Sequence, residues 1–449
     1  MSDLSDTQKA VIAIVPKVSA SLSAIGSIWI LVEVIGDPKK RGNMYHRLLA
    51  AMSIYDILES FWNFMSNWAI PRDVEEAWNP KGNQGTCTAQ GFFLQLGLAI
   101  PVLNAMLSIY YLMIVRYRMR EAQMKRWIEP SMHIVAFVVG FGTAISAVPL
   151  TLYNPSAYGL WSCWINSYPF GCHESWRGLP VPEGATSCTR GDNAWLYRFA
   201  FYFVWVWVAI LVAAVATVVL YFTVRNQEKR SSKYASPERY IVSRLSRTSS
   251  TDSADVPDPA TSSASWSTGI RKNASKLMNT LKQEKERKKL TRSQQVMTQA
   301  IWYIGAFILT HFTSLLNQFV FFATGNTFYA LYVSHLIFDP GQGVFNFVVY
   351  RRPRYLHFRK NENLSRFQCL YLALRWSFLP PIDLADKVGK ATSSAEVSDE
   401  YDSFHAGDDV DGVDDDEDDM EKHTDKCPID STGRLGASED VESPSGVVA

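Results

Sequence analysis

The sequence predicts an all-α membrane protein, a bundle of seven transmembrane helices with the N-terminus outside and the C-terminus in the cytoplasm. Three observations carry that prediction. Hydrophobic residues make up 47% of the 449 residues and are gathered into blocks rather than spread evenly. Seven of those blocks reach the roughly 20 apolar residues that a helix needs to cross a bilayer. Positive charge is concentrated in alternate connections between them, as its retention on the cytoplasmic side requires.

The spans fall near 11–35, 43–70, 86–115, 131–153, 195–224, 298–323 and 328–350. Before the first lies MSDLSDTQKA, which has no basic region leading into a short apolar run and so does not read as a secretory signal. Residues 1–10 are expected as a short extracellular N-terminus, with the first span itself directing insertion. The connections GDPKKRGNMYHR and RYRMREAQMKR, the 226–297 segment and RRPRYLHFRK after the last span are basic. The alternate connections, PRDVEEAWNPKG, 154–193 and TGNTF, are neutral or slightly acidic. The many Trp, Tyr and Phe residues suit aromatic belts at the two interfaces. The membrane domain is thus expected over 11–360, followed by an amphipathic juxtamembrane segment at 361–394 and an acidic disordered tail at 395–449. A multi-pass integral protein, at the plasma membrane, is the expected localisation.

Six cysteines divide by side. Cys87 tops the third span, and Cys163, Cys172 and Cys188 lie in the 154–193 loop, all on the oxidising face, where two disulfides can form. Three pairings are open. One bridge through Cys87 is expected to pin the loop over the mouth of the bundle, because a long structured loop is costly to order otherwise. Cys369 and Cys427 face the cytoplasm, and Cys369, in FQCLYLALRW, is a candidate for palmitoylation.

Polar residues inside spans face the protein interior and mark function. At 100° per residue, His335, Asp339, Gln342, Asn346 and Tyr350 of the seventh span share an arc of about 80°. Asp56, Glu59, Ser60, Asn63 and Asn67 line one face of the second span, and Gln90, Asn104, Ser108 and Tyr111 one face of the third. The sixth offers His311, Ser314 and Gln318, and the first Lys17 and Ser21. Such stripes imply a wet or hydrogen-bonded interior. A lone Ser or Asn there mostly joins helices at about 0.6 kcal/mol. A carboxylate such as Asp56 or Asp339 needs a partner or a proton, and so points to function.

MSIYDIL around Asp56, NFVVY (Asn346 to Tyr350) and IVRY (ending in Arg116 and Tyr117) resemble the mid-helix aspartate, the N-P-x-x-Y and the D/E-R-Y of rhodopsin-like G-protein-coupled receptors. Phe347 replaces the proline of the second and Val115 the acid of the third. CTAQGFFLQLG and GQGVFNFVVY are similar to stretches of the slime-mould cyclic AMP receptors and their relatives. The resemblance implies a receptor that passes an extracellular signal to a heterotrimeric G protein. It implies a switch network containing Asp56, Asn104, Asp339, Asn346 and Tyr350, and coupling through Arg116 and Tyr117. A small molecule or short peptide is expected among Lys17, Glu59, Asn63, Gln90, His311 and His335.

RLSRTSSTDS (244–253) offers arginine-directed kinase sites, where phosphate would reverse the local charge. Kinase and arrestin-like partners are therefore expected there and at the tail, and membrane lipids at the basic stretches. DDVDGVDDDEDD in the tail lacks the first aspartate and last glutamate of a calcium loop, so no metal is expected. Neither a cofactor nor a nucleic-acid partner is expected, and no enzyme motif appears. A retinal protein would need a lysine in 328–350, which has none. A transporter or channel using the polar interior is the alternative, although no internal repeat of the kind transporters show is visible.

Overall fold

The computed structural model describes residues 4–156, 160–173, 186–248, 263–324, 326–360 and 364–376. The segment Asp408–Ala449 lies outside the described residues.

The chain opens with α1 (Asp6–Gly36), started by a capping box between Ser5 and Gln8. Asp37 caps the short α2 (Pro38–Gly42), and Asn43 caps α3 (Met44–Met65) by accepting the Tyr45 amide. A 3-10 turn, Ser66–Ala69, closes α3. The expected third span is two helices, α4 (Gln84–Leu96) and α5 (Ala99–Tyr117). Its local cause is Pro101, whose missing amide cannot bond the Gly97 carbonyl four residues back. That carbonyl accepts instead from Ile100, at 2.9 Å, in a tighter turn.

Next come α6 (Glu121–Ser146) and a two-stranded antiparallel hairpin, β1 (Tyr153–Pro155) and β2 (Cys163–Ile165), with Asn154 opposite Trp164. The all-α expectation did not include these strands. A short α7 (Ala194–Arg198) leads through a π-helical turn, Phe199–Phe203, into α8 (Val204–Thr248). The helix α9 (Ser263–Thr324) returns. The 226–297 segment was expected as a basic, partly disordered loop in which KLMNTLKQEKERKKLTRSQQ continues the sixth span as a helix; α9 runs through that stretch, and α8 also runs on into the segment, to Thr248. Its runs of Lys, Glu, Gln and Arg are good helix formers. Residues 249–262, including part of the 244–253 kinase motif, lie outside the described residues.

The chain ends with α10 (Tyr329–Phe338), α11 (Gln342–Arg359) and α12 (Arg366–Leu374). Pro340 separates α10 from α11, and the bonds Gly341 N to Phe338 O and Val344 N to Gly341 O carry the chain across the break. The 361–394 segment is described only at 364–376, and the 395–449 tail, with Cys427, lies outside the described residues.

Among the described residues, five helical stretches are long and apolar enough to cross a membrane: Asp6–Gly36, Gln84–Tyr117, Glu121–Ser146, Ala194–Lys229 and Ser293–Phe321. Their outer faces carry exposed large apolar residues such as Ile25, Phe137, Leu211 and Phe312, as lipid-facing surfaces do. Inside, α1 lies on α3 and α11, and α5 lies against α3, α6, α8 and α9. The main core runs through Leu48, Met52, Leu103, Leu107, Tyr111, Tyr303 and Tyr350.

Candidate functional site

The polar interior falls into three levels, which from the loop end inward are a clamp, a chamber and a junction. At the clamp, Cys87 of α4 is bonded to Cys163 of β2, and Cys172 to Cys188. The bridge pins the loop to α4, as expected of Cys87. Gln90 completes the fastening. Its Nε2 donates to the Trp62 and Ser66 carbonyls at 3.0 and 2.9 Å, and its Oε1 accepts the Cys163 amide at 2.7 Å. Gln95 does the same one turn on, bonding Thr143, the Phe201 carbonyl and Trp164 Nε1. The Tyr153 hydroxyl donates to the Ala144 carbonyl at 2.8 Å, and burial holds its phenol well above the usual range, so it stays neutral.

Two expected ligand contacts are therefore reassigned. Gln90 has no solvent exposure, and its amide nitrogen and oxygen are both engaged in these bonds. Lys17 donates to the Phe64 and Met65 carbonyls at 3.1 and 3.0 Å, capping α3, and its ammonium lies 3.8 Å from the centre of the Trp68 ring. Both hold the fold together. Sequence spacing placed them on inward faces but not against the carbonyls of a helix end.

The chamber holds the charged candidates. Asp339 stands 4.0 Å from His335 Nδ1, one turn before it. Glu59 packs against Gly97, where an added Cβ would lie 2.3 Å from its Oε2, and the buried Asn63 follows it one turn on along α3. His311 is buried on α9, and Tyr202 meets the Trp164 ring edge-on. His335 and Asp339 face each other across the start of the α10–α11 break. Tyr202 is an addition the sequence did not single out, because it sits in an aromatic run. Asn104, 4% exposed on α5, keeps an unpartnered Nδ2.

The junction centres on Asp56. Its carboxylate accepts from Ser27 Oγ at 2.7 Å and Ser23 Oγ at 3.1 Å, both on α1, and from Ser60 at 3.5 Å. Ser23 Oγ also accepts the Gly343 amide at 2.7 Å. Three helices meet on one carboxylate, and a side chain has no room there: a Cβ on Gly343 would lie 2.3 Å from Asp56 Oδ2. Ser23 and Ser27 were legible only as small residues in an apolar span.

Below the junction, Tyr45 and Tyr303 hydroxyls lie 2.9 Å apart, and Gln299 Nε2 donates to the Val349 carbonyl at 3.0 Å. These bonds tie α9 to α3 and α11. Tyr350 accepts from Lys40 at 3.3 Å and meets the His46 ring edge-on. Asn346 is buried beside it on α11. Arg116 and Tyr117 end α5 in exposed positions.

No protein-family model matches the chain, and no curated protein matches it in sequence. Among solved structures, squid rhodopsin superposes with a TM-score of 0.55 over 92% of this chain and 94% of that one, at 12% identity. The fold is rhodopsin-like. At that identity the likeness is one of helix arrangement alone.

One further expectation is corrected. Cys369 is fully buried in a small core with Leu364, Leu372, Tyr355 and Phe358 where α12 folds back on α11. Its thiol is a packing group there, and acylation would require α12 to lift away. Phe367, Leu370 and Tyr371 form the exposed apolar side of the same helix.

Proposed function

We propose that this chain is a seven-span G-protein-coupled receptor, with its N-terminus outside and C-terminus in the cytoplasm. In this reading α3 and the α10–α11 pair are the second and seventh spans beside the five long apolar helices. An extracellular small molecule or short peptide enters under the clamped loop and meets Glu59, Asn63, His311, His335 and Asp339. Binding favours one of two arrangements of the polar interior, and the differential affinity for them sets the response.

The observation that carries the reading is the Asp56 junction within a rhodopsin-like fold. A single carboxylate that accepts from Ser23 and Ser27 of α1 and Ser60 of α3, with Ser23 in turn accepting the Gly343 amide of α11, is a costly way to glue helices and a natural way to couple them. The Tyr45–Tyr303 and Gln299–Val349 bonds then supply the contacts that α9 breaks on opening. Arg116 and Tyr117 become G-protein contacts. CTAQGFFLQLG and GQGVFNFVVY favour the slime-mould cyclic AMP receptor-like group, and the first of these supplies the Gln90 and Gln95 clamps. Plasma-membrane residence, kinase and arrestin-like partners at 244–253 and the tail, and lipid contacts belong to the same reading, which includes no catalytic step.

The test is a ligand screen on cells expressing the chain, read by dissociation of a heterotrimeric G protein. A ligand that drives dissociation supports the receptor. Ion current or solute uptake with no coupling to any G protein would sink it.

A further inference from the structure

We propose that the chamber takes an aromatic amino alcohol, a small organic ammonium ion with a hydroxyl on the neighbouring carbon and an aryl ring beyond it. The site is the one that the receptor reading above gives to the ligand, and it rests on that reading.

Glu59 and Asp339 come to one depth because their helices meet. Asp56 and Gly343 touch, since a Cβ on Gly343 would lie 2.3 Å from Asp56 Oδ2. Glu59 follows Asp56 by about one turn toward the loop end of α3, where Ser66 donates to the Trp161 carbonyl. Asp339 precedes Gly343 by about one turn toward the same end, where Tyr332 packs with Trp161. Glu59, Asp339 and His335 are all partly exposed, so a molecule can reach them. Asp339 faces His335 at 4.0 Å, and neither carboxylate meets a lysine or an arginine among the described residues. The nearby cations are engaged elsewhere, Lys17 by the Phe64 and Met65 carbonyls and Arg198 by the Ile165 carbonyl and Asn166. Carboxylates within a span call for a positive partner.

Gln342 adds a demand independent of charge. It lies on the same arc of the last span as His335 and Asp339, is 5% exposed, and its Nε2 has no hydrogen-bond partner among the described residues. A buried donor left unmade is costly, and an ammonium, with three donors and no acceptor, does not answer it. A hydroxyl beside the ammonium does. The walls are aromatic. Trp62 and Phe93 stack at 5.5 Å, about one turn outward of Glu59 and Gly97, and His335 lies 6.5 Å from the Trp161 ring and 6.0 Å from that of Tyr332. Such rings hold an aryl group and attract an ammonium over their faces. An anionic ligand such as a cyclic nucleotide would instead meet like charge at Glu59 and Asp339.

The full chain is purified in detergent, and binding of 2-amino-1-phenylethanol is measured by isothermal titration. Three analogues are measured beside it: 2-phenylethylamine lacks the hydroxyl, 2-phenylethanol lacks the charge, and cyclic AMP is an anion. The amino alcohol should bind saturably, about fivefold tighter than 2-phenylethylamine and at least about tenfold tighter than 2-phenylethanol, as one neutral and one charged hydrogen bond imply. Glu59→Gln and Asp339→Asn, which keep the side-chain shape, should each weaken it about tenfold. Gln342→Leu should abolish the preference for the amino alcohol over 2-phenylethylamine. Asp73→Asn, at an exposed position in the connection after α3, is the control and should change nothing. The analogue series needs no variant, so it decides the matter even if one of them fails to fold. The proposal is overturned by the absence of saturable binding of either amine, or by binding of 2-phenylethanol or cyclic AMP as tight as that of the amino alcohol. Affinity unchanged by Glu59→Gln or by Asp339→Asn overturns it too. Titration needs no G protein. Amine binding without dissociation of any G protein would therefore fault only the receptor reading, and dissociation driven by a neutral or anionic ligand only this one.

Discussion

Replacing Gly343 by alanine tests the junction most directly. The added Cβ would lie 2.3 Å from Asp56 Oδ2, 2.5 Å from Ser27 Oγ and 2.6 Å from the Ser23 carbonyl. None of these is the free end of a long side chain, so α11 must move off α1 and α3. Overpacking of this kind costs about 1–3 kcal/mol. Moving α11 also strains the 2.7 Å bond from the Gly343 amide to Ser23, and a buried donor left unmade costs about 1–3 kcal/mol. Together the change should destabilise the resting arrangement by about 2–6 kcal/mol. For a domain of about 350 residues that corresponds to a fall in melting temperature of roughly 3–8 °C. Gly305→Ala, on α9 with nothing within 4 Å of the new Cβ, is the matched control. Both variants, purified in detergent, are compared by thermal denaturation and by ligand-independent G-protein turnover. If Gly343→Ala stays within the range of Gly305→Ala in both measurements, the junction is neither tight nor coupled, and the reasoning fails.

Tyr303→Phe and Gln299→Leu each remove a bond that holds α9 closed. Each should raise basal G-protein activation about fivefold, as loss of about 1 kcal/mol implies, with surface expression unchanged. Asp339→Asn should alter basal or agonist signalling at equal surface expression, and unchanged signalling would return Asp339 to a merely structural role. The two disulfides should differ in worth. Cys87–Cys163 closes a separation of 76 residues and Cys172–Cys188 one of 16. Chain entropy then makes Cys163→Ser more destabilising than Cys172→Ser by about 1.4 kcal/mol, to be read from the denaturation midpoints of the single variants.

Much of this arrangement was legible in the sequence because it rests on period and charge. A run of apolar residues has one stable form in a bilayer, and polar residues spaced on one helical face have one direction to point. The inward faces of Asp56, Asp339 and Tyr350 followed from that alone, whereas the pinning of the loop through Cys87 followed from the cost of ordering a long loop over a helix end. The remainder depended on partners. Lys17 looked like a ligand contact until the carbonyls of Phe64 and Met65 were seen under it. Glu33, an acid in an apolar span, and Arg351, which looked like an edge marker, pair across more than three hundred positions of chain. Ser23 and Ser27 carry no signal by themselves, since a serine in a span is usually bonded to its own helix. Pairing across helices is set by crossing geometry, and single-sequence periodicity does not contain it.

That crossing geometry also decides which helix is free to move. At Gly26 a Cβ would lie 2.9 Å from the Gly343 carbonyl, so the backbones of α1 and α11 meet with nothing between them. The Asp56 cluster is built around this crossing and the Glu33 cluster beyond its inner end, and both join α1 to α11. The helix α9 has no such fastening. Its inner half is held to α3 and α11 by Tyr303 and Gln299 and to α8 by Gln294, which donates to Glu228 at 2.5 Å. A change at Asp339 reaches Gly343 within one turn of chain, across the Pro340 break where the helix has already lost its regular bonds. On the proposed receptor reading, the fastened α1–α11 pair holds its place and α9 parts from it by losing the bond from Gln299 to the Val349 carbonyl. On this account the buried charges of α1 keep one side of the bundle rigid, so that a small displacement at the break is delivered to α9 instead of being absorbed.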